Sequence, residues 1–299
     1  MKFTQKYFWL IILLSTVIGF VWQAPGLILK NYLTPILMVM MTLSVLKIDL
    51  KELKNIKTDW WRYLIILINI FFVSSLLIYF VKDFFIKEIF LGLLIVTAVP
   101  CGISIVFFSV LFGGQPTKSL LTTTIAHLLA PILTPAIVWF FARQVIDVSF
   151  LAMFILIIKL IIIPIILAQI IRYFKWDNYI QKYVTSSNTL LLTLLNWGTV
   201  APVAGIISAN YNSLIKSIIL VILIAVLQII FGIIFGRNKE EDITWMIASF
   251  YRNTGLAAVI TLTTFGTLAT LGVMSYMIVT NVALAPLQWW AMRTKSATL

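Results

Sequence analysis

Long apolar runs separated by short polar stretches dominate this chain, and their lengths set the architecture. Ten runs read as membrane helices: roughly Tyr7 to Trp22, Asn31 to Lys47, Tyr63 to Val81, Ile89 to Phe112, Thr117 to Ala142, Val148 to Ile171, Asn188 to Ile207, Leu214 to Phe235, Ile243 to Phe265 and Leu271 to Trp290. A helix needs about 20 residues to cross the hydrocarbon core. The first run is short, so it is expected to pack at an angle against its neighbours. No Gly/Ser-rich linker or soluble domain interrupts the series, and residues 1–299 read as one all-α integral membrane unit.

Two runs are broken. The fourth contains Pro100-Cys101-Gly102, where proline removes a helical hydrogen bond and glycine frees the backbone. The ninth contains Arg252-Asn253-Thr254-Gly255. Each is the fourth segment of a five-segment half, about 1–145 and about 146–299, and an odd number of crossings inverts the second half. Paired interruptions at matching places in inverted halves point to a transport site near the bilayer midplane.

Composition excludes a soluble class: 62% of the 299 residues are hydrophobic and 11% charged. The net charge of +12 would suggest nucleic acid in a soluble protein. Here the basic residues sit at segment ends, so the expected partner is the lipid bilayer and not nucleic acid. Lys2 and Lys6 followed by an apolar stretch resemble a signal peptide, but nine further segments argue for a retained first helix. With the N-terminus in the cytoplasm, inner segments carry fifteen Lys and Arg and outer segments five (Lys30, Lys82, Lys87, Arg143 and Lys216). That bias predicts a multi-pass protein of a bacterial-type inner (plasma) membrane with both termini cytoplasmic. Lys47 to Arg62, with Asp49, Glu52, Asp59, Trp60 and Trp61, reads as an amphipathic connector on the inner surface. The single cysteine, Cys101, excludes an internal disulfide.

Candidate chemistry centres on Arg252. A charge at bilayer depth costs at least about 3 kcal/mol on insertion scales and usually marks an ion or substrate path. All ten acidic residues fall in predicted loops, so no intramembrane carboxylate neutralises it. The half-helix beginning near Gly255 offers free N–H groups and a positive dipole end, and Asn253 and Thr254 add an amide and a hydroxyl. Two roles for Arg252 stay open: it binds the anion bidentately, or it clasps carbonyls freed by the break in the fourth segment. Around that break, Cys101, Gly102, Ile103 and Ser104 are candidate substrate contacts. Ser119, Thr123 and His127 share one face of the fifth segment. His127 is the sole histidine and a candidate proton carrier, and Lys159 is a candidate for a water-filled cavity or a substrate anion. Asn69, Asn188 and Asn196 are further polar points or simple interhelical ties. One histidine, one cysteine and no intramembrane carboxylate argue against an intramembrane enzyme, and no metal or cofactor is expected.

The layout resembles the bile acid:sodium symporter superfamily. The residues that carry the resemblance are Leu33-Thr34-Pro35 with Met38 to Met41, Pro100-x-Gly102, Leu129-Ala130-Pro131 with Leu133-Thr134-Pro135, and Asn253-Thr254-Gly255-Leu256-Ala257. The resemblance implies ten helices in a panel (7–47 and 148–207) and a core (63–142 and 214–290), with the fourth and ninth helices crossing at their breaks and alternating access as the core moves against the panel. It also implies sodium sites, and here this chain departs. The family's Ser-Asn pair reads Ile105-Val106, its glutamate position is Ala248, and its glutamine position is Arg252. Ser119 and Thr123 match family hydroxyls, and Asn69 stands in for a glutamine. The resemblance therefore implies a carrier of small organic anions, bile-acid-like or small carboxylates, and the departures argue against ordinary sodium coupling. Arg252 would be a tethered cation at a former sodium site. Alternatives are a sodium- or proton-coupled symporter and, from Ala98-Val99-Pro100-Cys101, an arsenite-type efflux permease.

Overall fold

The computed structural model describes residues 8–46 and 59–296. Most of the predicted amphipathic connector, including Asp49 and Glu52, lies outside the described residues, as do Lys2 and Lys6. The described elements are helices, as expected where no water is present to satisfy backbone groups.

In chain order they are α1 (Phe8–Val21), α2 (Gln23–Leu29), α3 (Leu33–Val45), α4 (Trp60–Phe80, with a π-helical turn at Asn69–Val73), α5 (Lys87–Ala98), α6 (Ile105–Phe112) and α7 (Pro116–Ala142). The second half has α8 (Phe150–Tyr173), α9 (Asp177–Ala204), α10 (Tyr211–Ile234), α11 (Lys239–Phe250), α12 (Thr254–Thr264) and α13 (Thr267–Ser296). Helices thus occupy all ten predicted segments, and the fourth and ninth divide into α5/α6 and α11/α12. Among the described residues, six helices are long and apolar enough to cross a membrane. At about 1.5 Å per residue, α5 and α6 are each too short to span about 30 Å of hydrocarbon. One boundary differs clearly from expectation: α9 begins at Asp177, well upstream of Asn188. Residues 177–187 are polar and aromatic, so apolar run length stops short of a helix that continues out of the apolar zone.

Packing is concentrated in two groups, which meet chiefly where α8 lies against α7. The first joins α9 to α1, α2 and α3, and α8 to α3. The second joins α5 to α13 and α7, α10 to α11 and α13, and α6 to α7 and α11. Close backbone approach holds α5 on α13: a Cβ on Gly92 would stand 1.8 Å from the Ala269 carbonyl oxygen, and one on Gly272 would stand 2.6 Å from that of Ile89. Small residues at such contacts let helix backbones touch where lipid removes the hydrophobic drive for association. Within the first group, Asn196 donates to Ser15 at 2.6 Å and Thr16 at 2.8 Å, and Asn188 donates to Ser44 at 2.8 Å. Both asparagines are interhelical ties.

One end of the second group is fastened by charge. Arg62 pairs with Glu241 at 3.1 Å, Lys118 lies 3.6 Å from Asp59 and also pairs with Glu241, and Arg237 pairs with Asp59. Burial pushes both carboxyls up, but the surrounding cations outweigh it and hold Asp59 and Glu241 below the usual carboxylate range. Asn238 caps α11 by accepting from the Glu241 amide.

Candidate functional site at the helix crossing

The two breaks meet. Val99 precedes a proline and is extended (φ −76°, ψ 157°), as the ring of Pro100 requires. Tyr251 is also extended (φ −88°, ψ 102°). The two stretches form a short antiparallel bridge between Cys101 and Arg252. Gly102 donates its amide to the Tyr251 carbonyl at 2.9 Å, and Asn253 donates to the Pro100 carbonyl at 2.9 Å. Gly102 is required by this approach: a Cβ there would lie 2.9 Å from the Tyr251 ring and 3.2 Å from the Arg252 carbonyl oxygen.

A broken helix leaves orphan carbonyls that must be satisfied in a dry interior. Thr134 donates to Ala98 O at 2.8 Å, and Tyr276 donates its hydroxyl to Phe250 O at 2.7 Å. Together with the bridge, these bonds take up the break carbonyls of Ala98, Pro100, Phe250 and Tyr251. The Arg252 side chain does not clasp them.

Instead Arg252, 1% exposed, turns to the α4/α10 side, where Nη2 donates to Ser74 Oγ at 3.3 Å. Its guanidinium also lies beside the Tyr276 hydroxyl. Nε and Nη1 have no hydrogen-bond partner among the described residues, and no carboxylate among them pairs with the charge. Ser74 accepts from Gln228 Nε2 at 2.7 Å, and Gln228 Oε1 accepts from Asn69 Nδ2 at 2.8 Å. The π turn makes this possible. Residues five apart sit about 140° apart on an α-helix, but the wider π turn brings Asn69 and Ser74 onto the one face that Gln228 meets.

The other side of the crossing faces α3, α7 and α8. Asn253 caps α12 by accepting from the Leu256 amide at 3.1 Å, and its Nδ2 lies 3.3 Å from His127 Nε2 and 3.7 Å from Met41 Sδ. His127 Nδ1 lies 2.8 Å from the Thr123 carbonyl. These partners assign the neutral tautomer: Nδ1 donates and Nε2 accepts. Cys101 is fully buried, with its thiol toward Thr123 Oγ1 at 3.9 Å. A cavity of about 20 Å³, room for one water molecule, is lined by Val45, Ile103, Thr123, Thr124, His127, Leu128 and Ile165. Thr123 and Thr124 bond carbonyls of their own helix, so its walls are apolar.

The crossing thus brings together Cys101, Gly102, Thr123, His127, Arg252 and Asn253. Ile103, Ser104 and Thr254 are half-buried beside it, and Gly255 packs against Leu195. Of the positions that the resemblance ties to sodium, Ile105 and Ala248 are buried hydrocarbon and Val106 is half-buried. Ser119 pairs with the hydroxyl of Ser109, and Thr123 donates to Ser119 O. Ile105, Val106 and Ala248 offer no side-chain oxygen to a sodium ion, which takes several such ligands. Lys159 lies elsewhere, exposed on the face of α8 that carries Ile155 and Ile163. Sequence reasoning missed Ser74, Gln228 and Tyr276, and gave Thr134 only as part of a motif.

Comparison with known proteins gives two findings. The model of the sodium bile acid symporter family matches residues 34–219, which include Pro100 to Gly102 and all of α7 but end before Arg252. A Bacillus subtilis (strain 168) protein, described as the uncharacterized sodium-dependent transporter YocS, is 27% identical over 222 residues. That match covers 73% of this chain and 67% of the relative.

Proposed function

The chain belongs to the sodium bile acid symporter family, a family of transporters, and from that premise we propose a carrier of organic anions in which Arg252 supplies the charge that sodium supplies in relatives. It is a multi-pass membrane protein and a secondary transporter, not an enzyme. The observation that carries the proposal is a guanidinium buried at the crossing, tethered to Ser74, with no carboxylate beside it among the described residues. A lone buried cation is stabilised by an arriving anion, and a bound sodium ion would be repelled by it. The hydrocarbon side chains of Ala248, Ile105 and Val106 support the same reading. The substrate anion sits at the N-terminus of α12, beside Asn253, Thr254 and Ser104, where the helix dipole favours negative charge.

The remaining architecture is part of this proposal. Two inverted five-helix halves are supported by a partner swap: α1 of the first half packs on α9, and α8 of the second packs on α3. The group of α1–α3, α8 and α9 is the panel, and the rest is a core that moves against it, exposing the crossing to each side in turn. The charge bias supports an orientation with both termini in the cytoplasm of an inner membrane.

A second reading is favoured by the description of the Bacillus subtilis relative as sodium-dependent. In that reading sodium drives uptake here as well. A thermal-shift screen of organic anions separates the two. We expect small carboxylates or bile-acid-like anions to stabilise wild type equally in sodium and potassium, and Arg252→Gln to lose the shift. Stabilisation that requires sodium would sink the proposal.

A further inference from the structure

We propose that the turn joining α8 to α9 is a binding site for a phospholipid with an anionic headgroup. The inference stands on membrane embedding alone and is independent of the substrate reading. The turn follows one of the six helices able to cross the membrane, so it lies where the chain leaves hydrocarbon. The end of α8 is closed by amides of Phe174 and Trp176 that donate to Ile170 O at 3.2 Å and Ile171 O at 3.0 Å. That closure puts one residue in the left-handed conformation, and the residue is Lys175 at φ 58°. Among the described residues it is the one non-glycine with positive φ. Glycine takes this conformation freely, and a residue with a Cβ is strained in it. The fold therefore keeps an exposed cation at the position where glycine closes a helix most easily.

The surroundings fit one partner. Tyr173 is 82% exposed and Tyr179 77%, and Trp176 stacks on Phe174 with ring centroids 5.3 Å apart. Aromatic rings with polar edges settle at the headgroup level of a bilayer. Lys182 is exposed one turn into α9, with Nζ 4.8 Å from the Tyr183 ring, and Arg172 stands in the last turn of α8. Residues 172–183 hold three cations and one acid, Asp177, which sits at the N-terminus of α9 where the helix dipole already favours it. A net positive, aromatic surface at the end of an apolar helix matches a phosphate-bearing headgroup whose acyl chains lie along α8.

The test uses purified full-length protein in phosphatidylcholine nanodiscs with and without phosphatidylglycerol, read as thermal stability. Wild type should gain several degrees of Tm from phosphatidylglycerol, and inorganic phosphate should give no gain. Lys175→Gly should melt higher than wild type in phosphatidylcholine, because the strain is relieved, yet lose most of the phosphatidylglycerol increment. Lys175→Asn, which tolerates the same backbone without charge, and Lys182→Gln check the loss in folded protein. A full increment retained in Lys175→Gly and Lys175→Asn would overturn the site. An equal gain from inorganic phosphate, or no lipid gain in wild type, would do so as well.

Discussion

The two sides of the crossing hold polar groups for opposite purposes. On the α4/α10 side, Asn69, Gln228, Ser74 and Arg252 form a chain of hydrogen bonds, and each of these residues is no more than 1% exposed. On the α3/α7/α8 side, Asn253 and His127 meet beside a small cavity with half-buried neighbours. The sealed side keeps a charge in place, and the cleft side borders a cavity with room for one water molecule. In the proposed function, the buried cation would give the crossing a positive field for a substrate anion while staying sealed itself.

Four substitutions sharpen or break this comparison. The largest effect is expected from Gly102→Val, which damages both sides at once. Its side chain meets the Tyr251 ring and the Arg252 carbonyl, so overpacking should cost about 3 kcal/mol of stability and abolish uptake, measured by chemical denaturation and by flux. Next, Gln228→Leu strips the sealed side, removing the acceptor of Asn69 Nδ2 and leaving Ser74 bonded to Arg252 alone. It should cost about 2 kcal/mol while shifting apparent substrate affinity less than any cleft-side change. Asn253→Ala does the reverse. Loss of the cap should cost about 1 kcal/mol, and KM should rise about tenfold if one hydrogen bond to the anion goes with it. If Gln228→Leu moved KM more than Asn253→Ala, the division of labour would be wrong. The smallest effect belongs to Lys159→Ala, whose side chain lies on the exposed face of α8. Stability and flux should stay within about 0.5 kcal/mol of wild type, and a large loss of flux would return Lys159 to the pathway.

Much of the cleft side was legible in the amino-acid order. Pro100 and Gly102 break a helix by covalent chemistry, and a run of Arg-Asn-Thr-Gly inside an apolar segment shows itself in any hydropathy reading. Ser119, Thr123 and His127 follow α-helical spacing, so their shared face could be read directly. The sealed side was not legible, for a geometric reason. Asn69 and Ser74 are five residues apart and share a face only because α4 contains a π turn, which apolar periodicity does not reveal. Gln228 is one amide in an isoleucine-rich helix, and its partners lie 154 and 159 residues away. Tyr276 reads as one more aromatic in an apolar run until its hydroxyl is found on the Phe250 carbonyl. Lys159 is a charge in mid-segment whose helix face the residue order alone does not fix; its side chain is exposed on α8.

The central claim is that Arg252 stands in for the coupling ion. Its most direct test is uptake of a labelled organic anion into proteoliposomes with sodium replaced by potassium or choline, for wild type and Arg252→Gln. The account predicts equal wild-type uptake in all three salts and loss of at least about tenfold in Arg252→Gln, as expected when a charge interaction of about 1.4 kcal/mol or more is removed. Wild-type uptake that collapses without sodium, or Arg252→Gln uptake that matches wild type, would contradict it.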